Sequence, residues 1–127
     1  MKTEEPKRIL IINPDIKSVE EMVSSFSKDG YDVEVCKSIT DAVGRVKDVK
    51  FNCAIIDVYL VGIMGYEAVP IIKAIDPNLE IIITADENTK ELEENVRKQK
   101  IFYYHIKSFG MKELKLAVAN VMKERKH

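Results

Sequence analysis

Three polar residues, Asp57, Thr84 and Lys107, each stand at the end of a run rich in apolar residues. Such runs are typical of buried strands, and the carboxyl ends of parallel strands meet at one edge of a sheet. A carboxylate placed there can attack a phosphoryl group and become an acyl phosphate, while a hydroxyl and an ammonium bind the transferred oxygens. A divalent cation normally neutralises the remaining charge. The simpler alternative is a salt bridge between Asp57 and Lys107 that closes the end of the sheet.

The elements that position these residues alternate regularly along the chain. Apolar runs predict strands at residues 8–13, 31–36, 51–57, 79–84 and 101–106. Helical spacing of apolar residues predicts helices that begin near residues 16, 39, 65, 87 and 111. Strands that alternate with helices predict the α/β class, with a doubly wound, flavodoxin-like (βα)5 sheet between two helical layers.

Capping residues and apolar anchors distinguish the predicted helices. Gly30 supplies a left-handed stop for the first helix, and Ser38 or Thr40 can cap the second. The helix over 87–100 has only Leu92 and Val96 as clear apolar anchors. It is therefore expected to be the least firmly packed helix and a candidate moving part.

Composition excludes several classes of protein. The chain has 127 residues, and 20 Lys and Arg balance 21 Asp and Glu to a net charge of −1, so no global field attracts nucleic acid. No apolar run is long enough for a membrane span or a signal peptide, so we expect a cytoplasmic protein with no membrane partner.

We predict one domain over 1–127, with its core over 7–124 and a short N-terminal tail. Cys36 and Cys53 are expected to be buried and unbridged.

Three segments carry a resemblance to a known family. Residues 55–65 contain Asp57 followed by a leucine and two spaced glycines, residues 81–85 contain Thr84 and a small residue, and residues 104–109 contain an aromatic, Lys107 and a phenylalanine. In this order, they resemble the CheY-like receiver domain of two-component response regulators over essentially the whole chain.

The resemblance implies a role for each residue. Asp57 would be the phosphoacceptor for a histidine kinase or phosphotransfer protein, Thr84 and Lys107 would contact the phosphoryl group, and Thr84 and Tyr104 would act as the switch. It also implies the strand order 2-1-3-4-5 and a partner-binding face made of helix 4, strand 5 and helix 5. An output domain, an effector or a second copy would bind there. Catalysis would be limited to the domain's own phosphorylation and dephosphorylation.

The sequence departs from the family after strand 1. Receivers usually have two or three consecutive acids there to hold Mg²⁺, whereas this chain has Asn13, Pro14 and Asp15. Asp57 would then be joined only by Asn13, a neutral oxygen donor, and Asp15, which lies one position beyond the expected acid. We therefore expect weak Mg²⁺ binding. Ser108 also replaces the proline that usually follows the lysine, where the family often has a cis bond.

Two further interpretations compete with a phosphorylated receiver. A pseudo-receiver of the same fold would be an interaction module that works without phosphorylation. A flavin or nucleotide binder is less well supported, because the loop after strand 1 lacks a glycine-rich or Ser/Thr-rich phosphate cradle. His105 could suggest a phosphorelay, but a lone histidine in a strand is more often structural.

Overall fold

The computed structural model describes residues 5–124, so most of the predicted N-terminal tail and residues 125–127 lie outside the described part. Strands and helices alternate throughout. The strands are β1 (Arg8–Ile12), β2 (Asp32–Cys36), β3 (Cys53–Asp57), β4 (Glu80–Ala85) and β5 (Tyr103–Ile106). The helices are α1 (Glu20–Lys28), α2 (Ile39–Asp48), α3 (Gly65–Ile75), α4 (Lys90–Arg97) and α5 (Met111–Glu124), with short 3-10 turns at Lys17–Val19 and Lys107–Phe109.

The strands form a parallel sheet in the order β2-β1-β3-β4-β5, which confirms the predicted fold class. Alternate residues of β1 face opposite helical layers, because successive side chains of a strand point to opposite faces. Leu10 and Ile12 pack in the layer that contains residues of α2, α3 and α4. Ile9 and Ile11 pack in the layer that contains residues of α1 and α5. Both faces of the sheet are therefore covered, as its continuous apolar strands require.

Two helices begin later in the chain than predicted. A 3-10 turn occupies Lys17–Val19, so α1 begins only at Glu20, and Ile16 is exposed rather than part of a buried helical face. The fourth helix begins at Lys90 because the Thr89 hydroxyl accepts a hydrogen bond from the Leu92 N–H at 3.1 Å and caps the helix there. Residues 86–89 are therefore a loop.

Other local predictions are confirmed. Ser38, and not Thr40, caps α2 by accepting a hydrogen bond from the Asp41 N–H at 3.1 Å. Gly30 has a positive φ of 93° after α1. Cys36 and Cys53 are buried, and no disulfide joins them. Within residues 5–124, no helix is long and apolar enough to cross a membrane.

Candidate functional site

Strand register brings the predicted residues to one edge of the sheet. Asp57 is the last residue of β3 and pairs with Thr84 of β4. Thr84 in turn pairs with His105 of β5, two residues before Lys107. The three side chains therefore leave adjacent parallel strands at their carboxyl ends, where doubly wound sheets bind ligands.

The Asp57 carboxylate is the centre of this cluster. The Lys107 ammonium lies 2.9 Å from Asp57 Oδ1, and the Thr84 hydroxyl donates a long hydrogen bond of 3.4 Å to the same oxygen. The second oxygen, Oδ2, accepts a hydrogen bond from the Tyr59 N–H at 3.0 Å. The Asp57 side chain remains 12% exposed, so its carboxylate is held on several sides and still open to solvent.

Lys107 contacts two acids rather than one. Its ammonium also lies 3.3 Å from Oδ1 of Asp86, whose side chain is 84% exposed. Burial alone would lower the pKa of Lys107, but hydrogen bonds and charges from Asp57 and Asp86 outweigh burial and raise the pKa. The lysine is therefore a stable cation at neutral pH. Asp86 was not among the predicted site residues, although it stands directly after β4 at the same edge of the sheet.

Gly65 allows α3 to begin against the backbone of Asp57. The Gly65 N–H donates to the carbonyl of Val58 at 2.8 Å, and a Cβ at residue 65 would lie 2.2 Å from the carbonyl oxygen of Asp57. Only glycine fits at this distance. The neighbouring Met64 precedes the helix, and its N–H donates to the Glu67 carboxylate at 2.9 Å.

The loop after β1 supplies few oxygen ligands. Asn13 is buried, and its side-chain oxygen accepts a hydrogen bond from the Asp15 N–H at 2.9 Å. The exposed Asp15 carboxylate accepts from the Lys17 N–H at 3.1 Å, and within residues 5–124 no ion pair or hydrogen bond joins it to Asp57. No group of three or more His, Cys, Asp or Glu side chains in the described part could hold a metal ion.

These residues provide about the smallest number of protein oxygen ligands with which Mg²⁺ is commonly bound. Mg²⁺ retains several waters and is often bound through one or two carboxylates and substrate phosphates. Asp57 supplies one carboxylate, and Asn13 supplies a neutral oxygen that already accepts one hydrogen bond. The role of Asp15 as a ligand stays a prediction.

Tyr104, the predicted switch residue, is joined to the loop before α4. Its hydroxyl donates a hydrogen bond to the side-chain oxygen of Asn88 at 3.0 Å. The Asn88 amide donates to Glu93 at 2.9 Å, and Glu93 also accepts from Arg97 at 2.6 Å. The hydrogen bond from Asn88, followed by the interactions with Arg97, lowers the pKa of Glu93. Tyr104 is thus connected through Asn88 to two turns of α4.

His105 lies on the face of β5 opposite to Tyr104, beside residues of α1 and α5. It is 2% exposed, and its Nδ1 has no hydrogen-bond partner within the described residues. Burial is the main reason that the pKa of His105 is lowered. These properties favour a neutral, structural histidine. All peptide bonds of the described residues are trans, including the bond between Lys107 and Ser108.

Solved structures of receiver domains share this fold. A CheY-like receiver domain protein from Methanospirillum hungatei JF-1 has 20% identity and a TM-score of 0.81, and the alignment covers 94% of this chain and 99% of that one. A two-component response regulator from Clostridium difficile has 16% identity, a TM-score of 0.87 and coverage of 95% and 99%. The beryllofluoride-activated NtrC4 receiver domain dimer has 17% identity, a TM-score of 0.85 and coverage of 94% and 98%.

The fold is therefore that of a CheY-like α/β domain, and Asp57, Thr84 and Lys107 lie together at the carboxyl ends of its strands. The sequence matches the response regulator receiver domain over residues 9–119. The chain belongs to this family, and its general role is in two-component signalling. No curated protein matches the sequence.

Proposed function

We propose that this receiver accepts a phosphoryl group on Asp57 from a histidine kinase or phosphotransfer protein. The observation that carries the proposal is the Asp57 carboxylate, open to solvent yet held 2.9 Å from the Lys107 ammonium at the carboxyl edge of the sheet. A salt bridge that served only to close the sheet would not require the additional hydroxyl of Thr84 on the same oxygen.

The transfer follows from the chemistry of these side chains. A carboxylate oxygen of Asp57 attacks the phosphorus of the donor, and a P–O bond forms as the P–N bond of a phosphohistidine breaks. The donor imidazole leaves with the electron pair. Lys107 and Thr84 then contact the oxygens of the transferred group and stabilise their charge. Mg²⁺, when bound by Asp57 and Asn13, would neutralise further negative charge on the phosphoryl oxygens.

The new charge on Asp57 would be transmitted through Thr84 and Tyr104 to a partner-binding face of α4, β5 and α5. Tyr104 supports this assignment because it lies on β5 and contacts the loop that leads into α4. The partner would be an output domain, an effector or a second copy of the chain. The similar NtrC4 receiver domain is a dimer in its beryllofluoride-activated form, which supports the last choice by analogy. The domain would catalyse nothing beyond its own phosphorylation and dephosphorylation.

A pseudo-receiver is the second candidate, and one observation favours it. Pro14 offers no ligand where receivers usually have an acid, and the nearby Asp15 carboxylate is engaged by the Lys17 N–H. An interaction module that never binds Mg²⁺ firmly would tolerate both features.

Incubation with acetyl phosphate and Mg²⁺, followed by intact mass measurement, separates the two candidates. Wild-type protein should gain the mass of one phosphoryl group, and Asp57→Asn should gain none. Asp48→Asn, which removes an exposed acid at the end of α2, is the matched control and should behave like wild type. A wild type that gains no mass at high Mg²⁺ would favour the pseudo-receiver, and equal gain by Asp57→Asn would refute the assignment of Asp57.

A further inference from the structure

A small cavity lies between α1, β5 and the start of α5. Its volume is about 150 Å³, and it is lined by His105, Met22 and Leu114, which are 2%, 5% and 1% exposed. The partly buried Met111 also lines the cavity, and the exposed Glu21 borders it, so the cavity opens to solvent. One imidazole and two thioethers therefore share a pocket that a small solute can enter.

The imidazole of His105 has a nitrogen that no other group of the protein uses. Its Nδ1 is buried and has no hydrogen-bond partner within residues 5–124. Buried polar atoms of native proteins nearly always have a partner, so this atom requires an explanation. Burial is the main reason that the pKa of His105 is lowered, and the neutral ring keeps a lone pair on one nitrogen. Neutral imidazole is also the form in which histidine binds metals.

We propose that His105, Met22 and Met111 bind a soft monovalent metal cation, Cu(I) or its analogue Ag(I), in this cavity. Thioethers select soft ions such as Cu(I), and imidazole also binds copper, whereas Mg²⁺ and Ca²⁺ prefer oxygen ligands. Methionine has three rotatable bonds, so both sulfur atoms can turn towards an ion beside the imidazole. The site is separate from the Mg²⁺ ligands Asp57 and Asn13, and it does not depend on phosphorylation.

The charges around the cavity are compatible with a bound cation. Lys107 also lines the cavity, but its ammonium lies 2.9 Å from Asp57 and 3.3 Å from Asp86, and these carboxylates offset its charge. Glu21 adds a carboxylate at the border. Zn²⁺ prefers Cys, His and carboxylate ligands, and among the residues that line the cavity only His105 and Glu21 offer these. The ligands therefore favour Cu(I) over Zn²⁺.

An ion held by all three side chains would join three elements of the fold. Met22 belongs to α1, His105 to β5, and Met111 is the first residue of α5. A ligand that binds the folded state and not the unfolded state stabilises the protein. Binding should therefore raise the melting temperature, and the domain would respond to a soft cation at a place distinct from Asp57.

Titration of the full chain with Ag⁺ tests the site directly. The methionine methyl groups are labelled with ¹³C, and NMR spectra are recorded as Ag⁺ is added. The methyl signals of Met22 and Met111 should shift together with the ring signals of His105. Met122, which is buried in the same layer but does not line the cavity, should keep its signal. Unshifted signals of Met22 and Met111 would overturn the proposal.

Substitution of each ligand gives its share of the affinity. Met22→Leu and Met111→Leu nearly conserve volume, so both variants should keep the fold. Loss of even an indirect partner of a metal ligand weakens binding about 10- to 100-fold, so loss of either thioether or of the imidazole in His105→Phe should weaken Ag⁺ binding at least about tenfold. Met122→Leu is the matched control and should bind like wild type. Wild-type affinity in Met22→Leu and Met111→Leu would overturn the role of the thioethers.

Two further titrations exclude other modes of binding. Thiols also bind Ag⁺, so the titration is repeated with Cys36→Ala and with Cys53→Ala, and the shifts of Met22 and Met111 should persist in both variants. Loss of these shifts in either variant would overturn the site. Zn²⁺ at the same concentration should leave both methyl signals unshifted, and tighter binding of Zn²⁺ than of Ag⁺ would overturn the assignment of a soft cation.

Discussion

Substitution of Gly65 by alanine should damage both stability and phosphorylation, although it adds a single methyl group. The added Cβ would lie 2.2 Å from the carbonyl oxygen of Asp57 and 3.0 Å from its carbonyl carbon. Ordinary contacts begin near 3.4 Å, so the start of α3 and the end of β3 must separate by roughly 1 Å. Gly65 does not have a positive φ, so the cost is steric and not conformational.

The expected magnitude follows from this displacement. Overpacking of a rigid site costs about 1–3 kcal/mol, and the hydrogen bond of 2.8 Å from Gly65 to Val58 opposes any separation. A shift of about 1 Å at a reacting group can slow its reaction roughly 100-fold. We therefore expect Gly65→Ala to lower the free energy of unfolding by about 1–3 kcal/mol and to slow phosphorylation of Asp57 by about two orders of magnitude.

Gly44 provides the matched control for the same substitution. It is an exposed glycine within α2, and a Cβ there would meet nothing within 4 Å. Gly44→Ala should raise the free energy of unfolding by about 0.5–1 kcal/mol and leave phosphorylation unchanged. Urea denaturation gives the free energies, and timed mass measurements give the phosphorylation rates. A Gly65→Ala protein as stable and as reactive as wild type would refute the packing argument.

Three further predictions concern the residues around the site. Burial lowers the pKa of His105 below its ordinary value, so as the pH falls the imidazole is protonated in the unfolded state before it is protonated in the folded state. The free energy of unfolding should therefore fall as the pH drops below about 6.5. His105→Phe should reduce that fall in urea titrations, and an unchanged pH dependence would contradict the assignment. Pro14→Asp should tighten Mg²⁺ binding about tenfold or more, because a carboxylate about 4 Å from a divalent ion contributes roughly 2 kcal/mol even in water. Calorimetry measures the two affinities, and equal affinity of the variant and wild type would show that the site is already complete. Thr84→Ala should still take up a phosphoryl group by mass but show a smaller phosphorylation-induced change in the Tyr104 ring signals by NMR, and an undiminished change would exclude Thr84 from the switch.

The cluster of Asp57, Thr84 and Lys107 could be predicted because each residue ends a strand. Strand ends are visible in the hydrophobic pattern, and parallel strands place their carboxyl ends at the same edge. The structure adds the register, in which Asp57 pairs with Thr84 and Thr84 pairs with the residue two before Lys107. The family resemblance pointed to the same three residues.

The loop contacts could not be predicted in the same way. Asp86 and Asn88 lie where no periodicity constrains the chain, and their partners depend on how the loop folds over Lys107 and Tyr104. The hydrogen bond from the Lys17 N–H to the Asp15 carboxylate is another loop contact that no periodicity indicates, and the role of Asp15 as a metal ligand stays a prediction. The predicted start of α4 near residue 87 was wrong, because the residues that follow are good helix formers and only the Thr89 cap defines the start at Lys90.

The most direct test of the central claim locates the phosphoryl group on the chain. Wild-type protein is treated with acetyl phosphate and Mg²⁺, its acyl phosphate is reduced with borohydride to the corresponding alcohol, and the site is identified by tandem mass spectrometry of peptides. We predict that the reduced residue is Asp57 and that Asp86, which contacts the same Lys107 ammonium, is unmodified. Modification of Asp86 or of any other acid, with Asp57 intact, would contradict the claim.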